Sequence, residues 1–229
     1  RRMKHYSIAI DGPAGAGKSN VARAVAKELT FIYVDTGAMY RAMGLYLSEY
    51  FSDTSNVEQI AKKVLNAEIS ITYENGEQQV LLFGKNVNDQ IRTEKAGNLA
   101  SLFSTIPAVR TKLVQLQQQL AKKESVVMDG RDIGTKVLPN ADLKIYLTAT
   151  TKERAKRRFT ELCDKGVSIT LDEIEQDIIK RDQLDMNRTE SPLCQAADAI
   201  YLDCSKLDAC EVTKQIIEWF QERKELVAD

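Results

Sequence analysis

A chain of 229 residues, 43% hydrophobic and 28% charged, has the composition of a globular protein that buries one good core, as one domain with insertions or as two small ones, and this excludes a disordered polymer. Thirty-two basic residues against 33 acidic ones leave a net charge of −1, which excludes a broad electrostatic footprint for nucleic acid or an anionic membrane and makes any anion site local. Cys163, Cys194, Cys204 and Cys210 form no Cys-x-x-Cys pair and have no metal-ligand spacing with the lone histidine, His5, so they read as reduced thiols.

The first predicted strand, Ser7–Asp11, runs into Gly12-Pro13-Ala14-Gly15-Ala16-Gly17-Lys18-Ser19-Asn20, which satisfies the phosphate-binding pattern G-x-x-x-x-G-K-[ST]. Such a loop aims successive backbone N–H groups at one anion. Lys18 adds a point charge near the transferred phosphate and Ser19 a hydroxyl for magnesium, while the helix starting near Gly17 directs its positive end at the ligand. Val21, Ala24, Val25 and Leu29 lay an apolar stripe behind the loop. A glycine-rich turn that binds nothing is the alternative, and the strand before the loop and the stripe after it weigh against that.

An apolar run over 31–34 ends in Asp35-Thr36-Gly37 and hands over to a helix carrying Met39, Tyr40, Met43, Leu47 and Tyr50. Strand–helix–strand alternation predicts a parallel sheet. Thr36 and Arg41 have the hydroxyl and guanidinium to hold a second phosphate at the C-terminal strand edge, where ligands of such sheets bind; the other reading of Arg41 is a solvated surface arginine. Between 52 and about 91 a helix over 56–66 and two β-rich runs, 68–73 and 79–83, flank Asn75-Gly76 and predict an antiparallel hairpin, read as an inserted subdomain with a structural role. Helices over about 93–104 and 107–122 follow, with Pro107 suited to a first turn; Ser101 and Arg110 carry no signal of their own.

A β-branched strand over 125–129 ends in Asp129, the position at which phosphate-loop proteins place a carboxylate beside magnesium. Gly130 then permits a sharp turn that presents Arg131 and Asp132 at the same edge, unless the two merely pair across a loop. After a strand over 143–147, a helix from about 151 carries Arg154, Arg157 and Arg158 on one face. It ends at Asp164-Lys165-Gly166, and a further helix from Thr170 and Asp172 places Arg181, Asp185 and Arg188 on one face. Both faces fit a solvated, ion-paired surface and also a hinged lid closing over polyphosphate. A strand over 199–202 and a helix with Val212, Ile216, Trp219 and Phe220 complete the alternation.

Several of these segments carry a family resemblance: the phosphate loop, Asp35 to Arg41, Ile91-Arg92-Thr93, Asp129-Gly130-Arg131-Asp132-Ile133-Gly134-Thr135, Glu153 to Arg158, and Arg181 to Arg188 with Ser191-Pro192-Leu193. On them the chain resembles the bacterial cytidylate kinases, of the nucleoside monophosphate kinase group, over essentially its whole length. The resemblance implies an α/β, three-layer P-loop kinase fold with a central parallel sheet. It implies a core over 1–36, 104–151 and 171–229, a monophosphate-binding subdomain over 37–103 with a β-rich insert near 67–91, and a short helical lid over 152–170.

The resemblance also implies roles. ATP would lie on residues 12–20, with Mg2+ at Ser19 and Asp129. The cytosine ring would be read by Ser101, Arg110 and Asp132, and the acceptor phosphate held by Arg41 and Arg131 with help from Thr36, Tyr40 and Arg188. Asp185, with Arg181 close by, would contact the sugar, and Lys18, Arg131, Arg154, Arg157 and Arg158 would act on the transferred group. A carboxylate accepts a hydrogen bond from the exocyclic amine of cytosine where uracil presents a carbonyl, so uracil is expected to be the poorer substrate. Asn20 stands where relatives usually carry threonine, so retained activity with altered ATP affinity is expected.

The expected reaction is phosphoryl transfer from ATP to CMP or dCMP by a cytoplasmic monomer that engages neither nucleic acid nor membrane. No apolar run approaches the ~18 residues of a membrane span, no signal peptide is evident, and Met3 reads as the natural start. The rivals are a kinase for UMP, AMP or another small acceptor, and a nucleotide-binding switch. Acceptor-dependent ADP release separates the kinases from the switch.

Overall fold

The computed structural model describes residues 4–228, and Met3, the expected start, lies outside them. The chain opens with β1 (Ser7–Asp11), α1 (Lys18–Leu29), β2 (Ile32–Asp35), α2 (Thr36–Ser48) and α3 (Val57–Leu65). Three short strands follow, β3 (Ile69–Glu74), β4 (Glu77–Leu82) and β5 (Lys85–Asn86), then α4 (Asn88–Ile91), α5 (Glu94–Phe103) and α6 (Pro107–Lys123). Next come β6 (Val126–Gly130), one π-helical turn (Ile133–Val137), β7 (Leu143–Thr148), α7 (Thr151–Asp164), α8 (Leu171–Asn187), β8 (Ile200–Asp203) and α9 (Ala209–Ala228).

The larger sheet has the order β2-β6-β1-β7-β8, with every pairing parallel. Alternation along β1 assigns its residues to two cores. Ile8 and Ile10 pack with Val21, Val25, Ile216 and Phe220 of α1 and α9, whereas Ala9 packs with Met39, Met43, Leu113 and Ile133 on the opposite side. The result is three layers, and strands buried on both faces read as the near-continuous apolar runs found in β1, β6 and β7. All five strands point their C-terminal ends to one edge, as a parallel sheet requires. Asp11, Asp35 and Asp129 therefore meet there, since Asp35 is in register with Asp129 and Asp11 with Gly130.

The smaller sheet, β3-β4-β5, is antiparallel as the hairpin signal predicts: Glu74 faces Glu77, and Asn75 and Gly76 take positive φ of 52° and 79°. It docks on the free edge of β2 through side chains. Gln78 accepts from the Asp35 N–H at 3.0 Å and donates to the Asp35 carbonyl at 3.1 Å, and Tyr73 donates to the Tyr33 carbonyl at 3.0 Å. The amide of Gln78 thus stands in for a strand neighbour.

Local differences from the sequence reading have plain causes. Tyr50, expected on the apolar stripe of α2, lies past its end at Ser48 and is exposed, with the Lys63 ammonium 3.4 Å from its ring centroid. Thr170 starts α8 through a reciprocal capping box with Glu173. The cysteines Cys163, Cys194, Cys204 and Cys210 are unpaired, and no helix among the described residues is long and apolar enough to cross a membrane.

Candidate active site

The phosphate loop leaves β1 through Gly12, where a Cβ would overlap the Leu147 carbonyl of β7 and where φ is +156°. Only glycine lets the chain pass this close to the neighbouring strand. The Lys18 ammonium donates to the Pro13 carbonyl at 2.8 Å and is buried; burial, with Arg131 beside it, lowers its pKa to about 7. Polyphosphate in the loop would return that lysine to its charged form. Asn20 is exposed on the first turn of α1.

Beside the loop, the Ser19 hydroxyl donates to Oδ2 of Asp129 at 2.9 Å and the Tyr33 hydroxyl to Oδ1 at 2.8 Å. Thr36 donates to the Asp129 carbonyl at 2.6 Å. Burial, and the nearby Asp35, push the Asp129 carboxyl upward, so the position favours a counter-cation. Among the described residues no cluster of three or more His, Cys, Asp or Glu side chains is placed to hold a metal ion. A serine hydroxyl and one carboxylate are nevertheless the donor set that suits magnesium, which keeps waters and takes its remaining oxygens from phosphates.

The turn after β6 supplies the opposite wall. Gly130 is required because a Cβ there would lie 2.7 Å from the Thr36 hydroxyl. Asp132 and Arg110, buried together, pair at 2.5 Å through Oδ2, and Arg110 also donates to the Ser104 carbonyl at 3.3 Å, one helical turn from Ser101 in α5. Among the described residues no donor reaches Oδ1 of Asp132. Arg131 pairs with Asp185 at 2.8 Å, and Asp185 with Arg188 at 3.2 Å. Arg188 is held in turn by the carbonyls of Glu190 and Ser191. The Arg110 guanidinium sits 5.0 Å from the Tyr40 ring centroid. Three donors here are buried without a protein partner: the Tyr40 hydroxyl, Nε of Arg110 and Nη2 of Arg188. Buried donors are almost always satisfied, so three in one wall are donor capacity that the protein itself leaves unspent. Arg41 lies at the rim, paired with Asp35 at 3.1 Å.

The arginines of α7 and α8 divide. Arg154 is buried, donating to the Ala14 carbonyl of the phosphate loop at 2.8 Å and pairing with Asp182 at 2.7 Å. Arg157 reaches the other way, to the Cys204 carbonyl at 2.6 Å. Arg158 pairs with Glu94 and with Glu161 at 2.8 Å. Arg181 pairs with Glu94 at 2.8 Å and with Asp177 at 3.0 Å. Helical spacing brings the three α7 arginines to one side of the backbone, but side chains this long let their heads part. The structure therefore gathers Lys18, Ser19, Thr36, Asp129 and Arg154 at the loop and Tyr40, Arg110, Arg131, Asp132, Asp185 and Arg188 at the opposite wall.

Four contributors were not singled out from the sequence: Asp11, which takes two turn N–H groups; Tyr33, on Asp129; Gln78, on Asp35; and Glu94, between α7 and α8. Their partners lie far away along the chain. Only Asp11 had a local cue, a charge at the end of an apolar strand.

A sequence model of the family described as "Cytidylate kinase" matches residues 8–222. The chain is 49% identical over 218 residues to a cytidylate kinase of Caldicellulosiruptor saccharolyticus, covering 95% of this chain and 96% of that protein. It is 45% identical over 221 residues to a cytidylate kinase of Halalkalibacterium halodurans, covering 96% of this chain and 100% of that one. Among solved structures, an uncharacterized protein from Eubacterium ventriosum superposes with a TM-score of 0.51 at 15% identity, covering 96% of this chain and 99% of that chain, a likeness of fold alone.

Proposed function

The chain belongs to the cytidylate kinase family, and from that membership we propose that it transfers the γ-phosphoryl group of ATP to CMP or dCMP by direct in-line displacement. The observation that carries the base preference is Asp132, buried at the sheet edge with Oδ2 held by Arg110 and Oδ1 left to accept. The amine of cytosine donates to such an oxygen, whereas the carbonyl of uracil meets it as a second acceptor.

No general base is needed. A phosphate monoester with a second pKa near ~6 is largely dianionic at neutral pH, so the acceptor oxygen is already a nucleophile. Arg131 and Arg41 hold and orient it, Tyr40 and Arg188 supply donors, and Lys18 neutralises charge that spreads over the transferred group. Ser19 and Asp129 would hold magnesium, which would supply further charge neutralisation. Arg154 keeps the loop in shape through the Ala14 carbonyl, and Arg158 with Arg181 stands beside the site on residues 152–170 and α8, which we read as the lid and its support. Residues 37–103 are read as the acceptor-binding unit, Ser101 as a second contact to the base, and the protein as a cytosolic monomer.

ADP formation with CMP, dCMP, UMP, AMP or no acceptor tests the reading. Turnover strongest with CMP and dCMP supports it, and turnover indifferent to acceptor returns the switch reading. Asp132→Asn is the informative variant, because alanine would strand the buried Arg110 at a cost of about 3–5 kcal/mol. The asparagine amide can donate to a uracil carbonyl, so the CMP over UMP ratio in kcat/KM should narrow by about tenfold or more. An unmoved ratio would place base reading elsewhere.

A further inference from the structure

We propose that Asp11 is a positioning residue that pins the Arg131–Asp132 turn to the phosphate loop and so sets the registration of acceptor against donor. The inference rests on the acceptor reading above. Asp11 ends β1, and the next residue, Gly12, begins the loop. Its buried carboxylate crosses to the adjoining turn and takes two separate N–H groups, from Ile133 at 2.8 Å and from Gly134 at 2.7 Å.

Those are the two amides directly after Asp132. From the far side of the same turn, the N–H groups of Lys136 and Val137 return to the Asp132 carbonyl at 2.9 and 3.1 Å. The backbone of Asp132 is therefore held from both directions, and one of the two holds originates in the strand that presents the ATP cradle. There is no slack in the contact: a Cβ on Gly134 would sit 3.3 Å from Oδ2 of Asp11 and 3.1 Å from Cδ of Lys144. A charged carboxylate accepting two backbone N–H groups is a stiffer pin than any neutral acceptor.

Burial raises the Asp11 carboxyl to about 6, against the lowering effect of the two N–H groups. The titratable groups that face it are Asp132 on the turn, Lys18 on α1, and Lys144 and Tyr146 on β7. Near neutrality Asp11 is ionised and both bonds are charge-assisted. Below about pH 6 one oxygen carries a proton and the pin slackens.

The test is the whole enzyme with Asp11→Asn, which keeps the shape and replaces one acceptor with a donor. Kinetics with ATP against CMP and UMP should show KM for CMP raised about tenfold, the CMP over UMP ratio narrowed by about fivefold, and KM for ATP within about twofold of wild type. An unmoved ratio, or KM values for ATP and CMP that rise together, would overturn the proposal, the second because a general loss of structure acts on both substrates. Should Asp11→Asn fail to fold, the wild-type ratio measured from about pH 5.5 to about pH 8 decides. Both acceptors carry the same phosphate, so its titration cancels. A ratio that climbs through about pH 6 supports the pin, and a flat one overturns it. Wild-type enzyme with no preference for CMP sinks the acceptor reading and this proposal together, whereas a selective wild type with an unchanged Asn variant sinks only the role of Asp11.

Discussion

A buried lysine pressed toward neutrality by its surroundings is useful only if a ligand restores its charge, and Lys18 is such a residue. Its one hydrogen bond goes to a carbonyl of its own loop. Replacing it with alanine should lower kcat by about 100-fold or more, while the thermal midpoint stays within a few degrees, since no carboxylate is left unpaired. Unchanged turnover on stopped assay would remove Lys18 from the mechanism. The placement of Lys18 and Ser19 at the start of the helix after β1 was legible in the sequence because the phosphate-loop pattern is contiguous. The placement of Asp129 beside Ser19 was legible because it ends a strand at the edge where the phosphate loop leaves the sheet. Tyr33 was not, since its hydroxyl finds Asp129 across a separation of 96 residues that no local pattern encodes.

At the scale of elements, β2 is an edge strand whose free side is closed by side chains of a hairpin. Gln78 brackets Asp35 from both its N–H and its carbonyl, and Asp35 caps α2 through the Ala38 N–H at 2.9 Å while pairing with Arg41. The hairpin is therefore linked through Asp35 to Arg41, the residue proposed to hold the acceptor phosphate. Gln78→Ala should lower stability by about 1–2 kcal/mol and raise KM for CMP by about threefold, with KM for ATP unmoved. Hydrogen exchange at the Asp35 amide, expected to quicken, checks the structural half, and a CMP KM identical to wild type would disconnect the hairpin from binding. The hairpin itself was plain from Asn75-Gly76, but its docking was not: Gln78 fell outside the run expected as a strand, and a polar residue there carries no mark of its partner. The arginines of α7 make the same point in reverse. Their spacing was read correctly as one helical face, yet Arg154, Arg157 and Arg158 end on three different partners.

For the molecule as a whole, the parallel sheet followed from alternating apolar runs and the three-layer α/β fold from the family resemblance, whereas the strand order did not follow from the alternation, because pairing partners are chosen by the folded topology. One consequence of that topology is measurable in the stability curve. Asp11, at 3.8 when unperturbed and about 6 when folded, binds its proton more tightly in the native state between those values. The stabilisation is present below about pH 4 and is lost as pH rises through about 6, a difference of about 3 kcal/mol by linkage. Relative to Asp11→Asn, the wild-type protein should therefore lose stability from about pH 4 to about pH 6 in urea unfolding. Parallel curves for the two proteins would show that the carboxyl is not perturbed.

The strand at the centre of the sheet finds both neighbours late. Ser7 pairs with Val126 on one side and Ile8 with Leu143 on the other. A ribosome delivering this chain releases the complete phosphate-loop motif and then more than a hundred further residues before either flank of that strand exists. Contacts so distant in sequence form slowly. The nucleotide cradle is thus made well before it becomes competent, and a nascent chain halted before β6 carries the motif without the pocket.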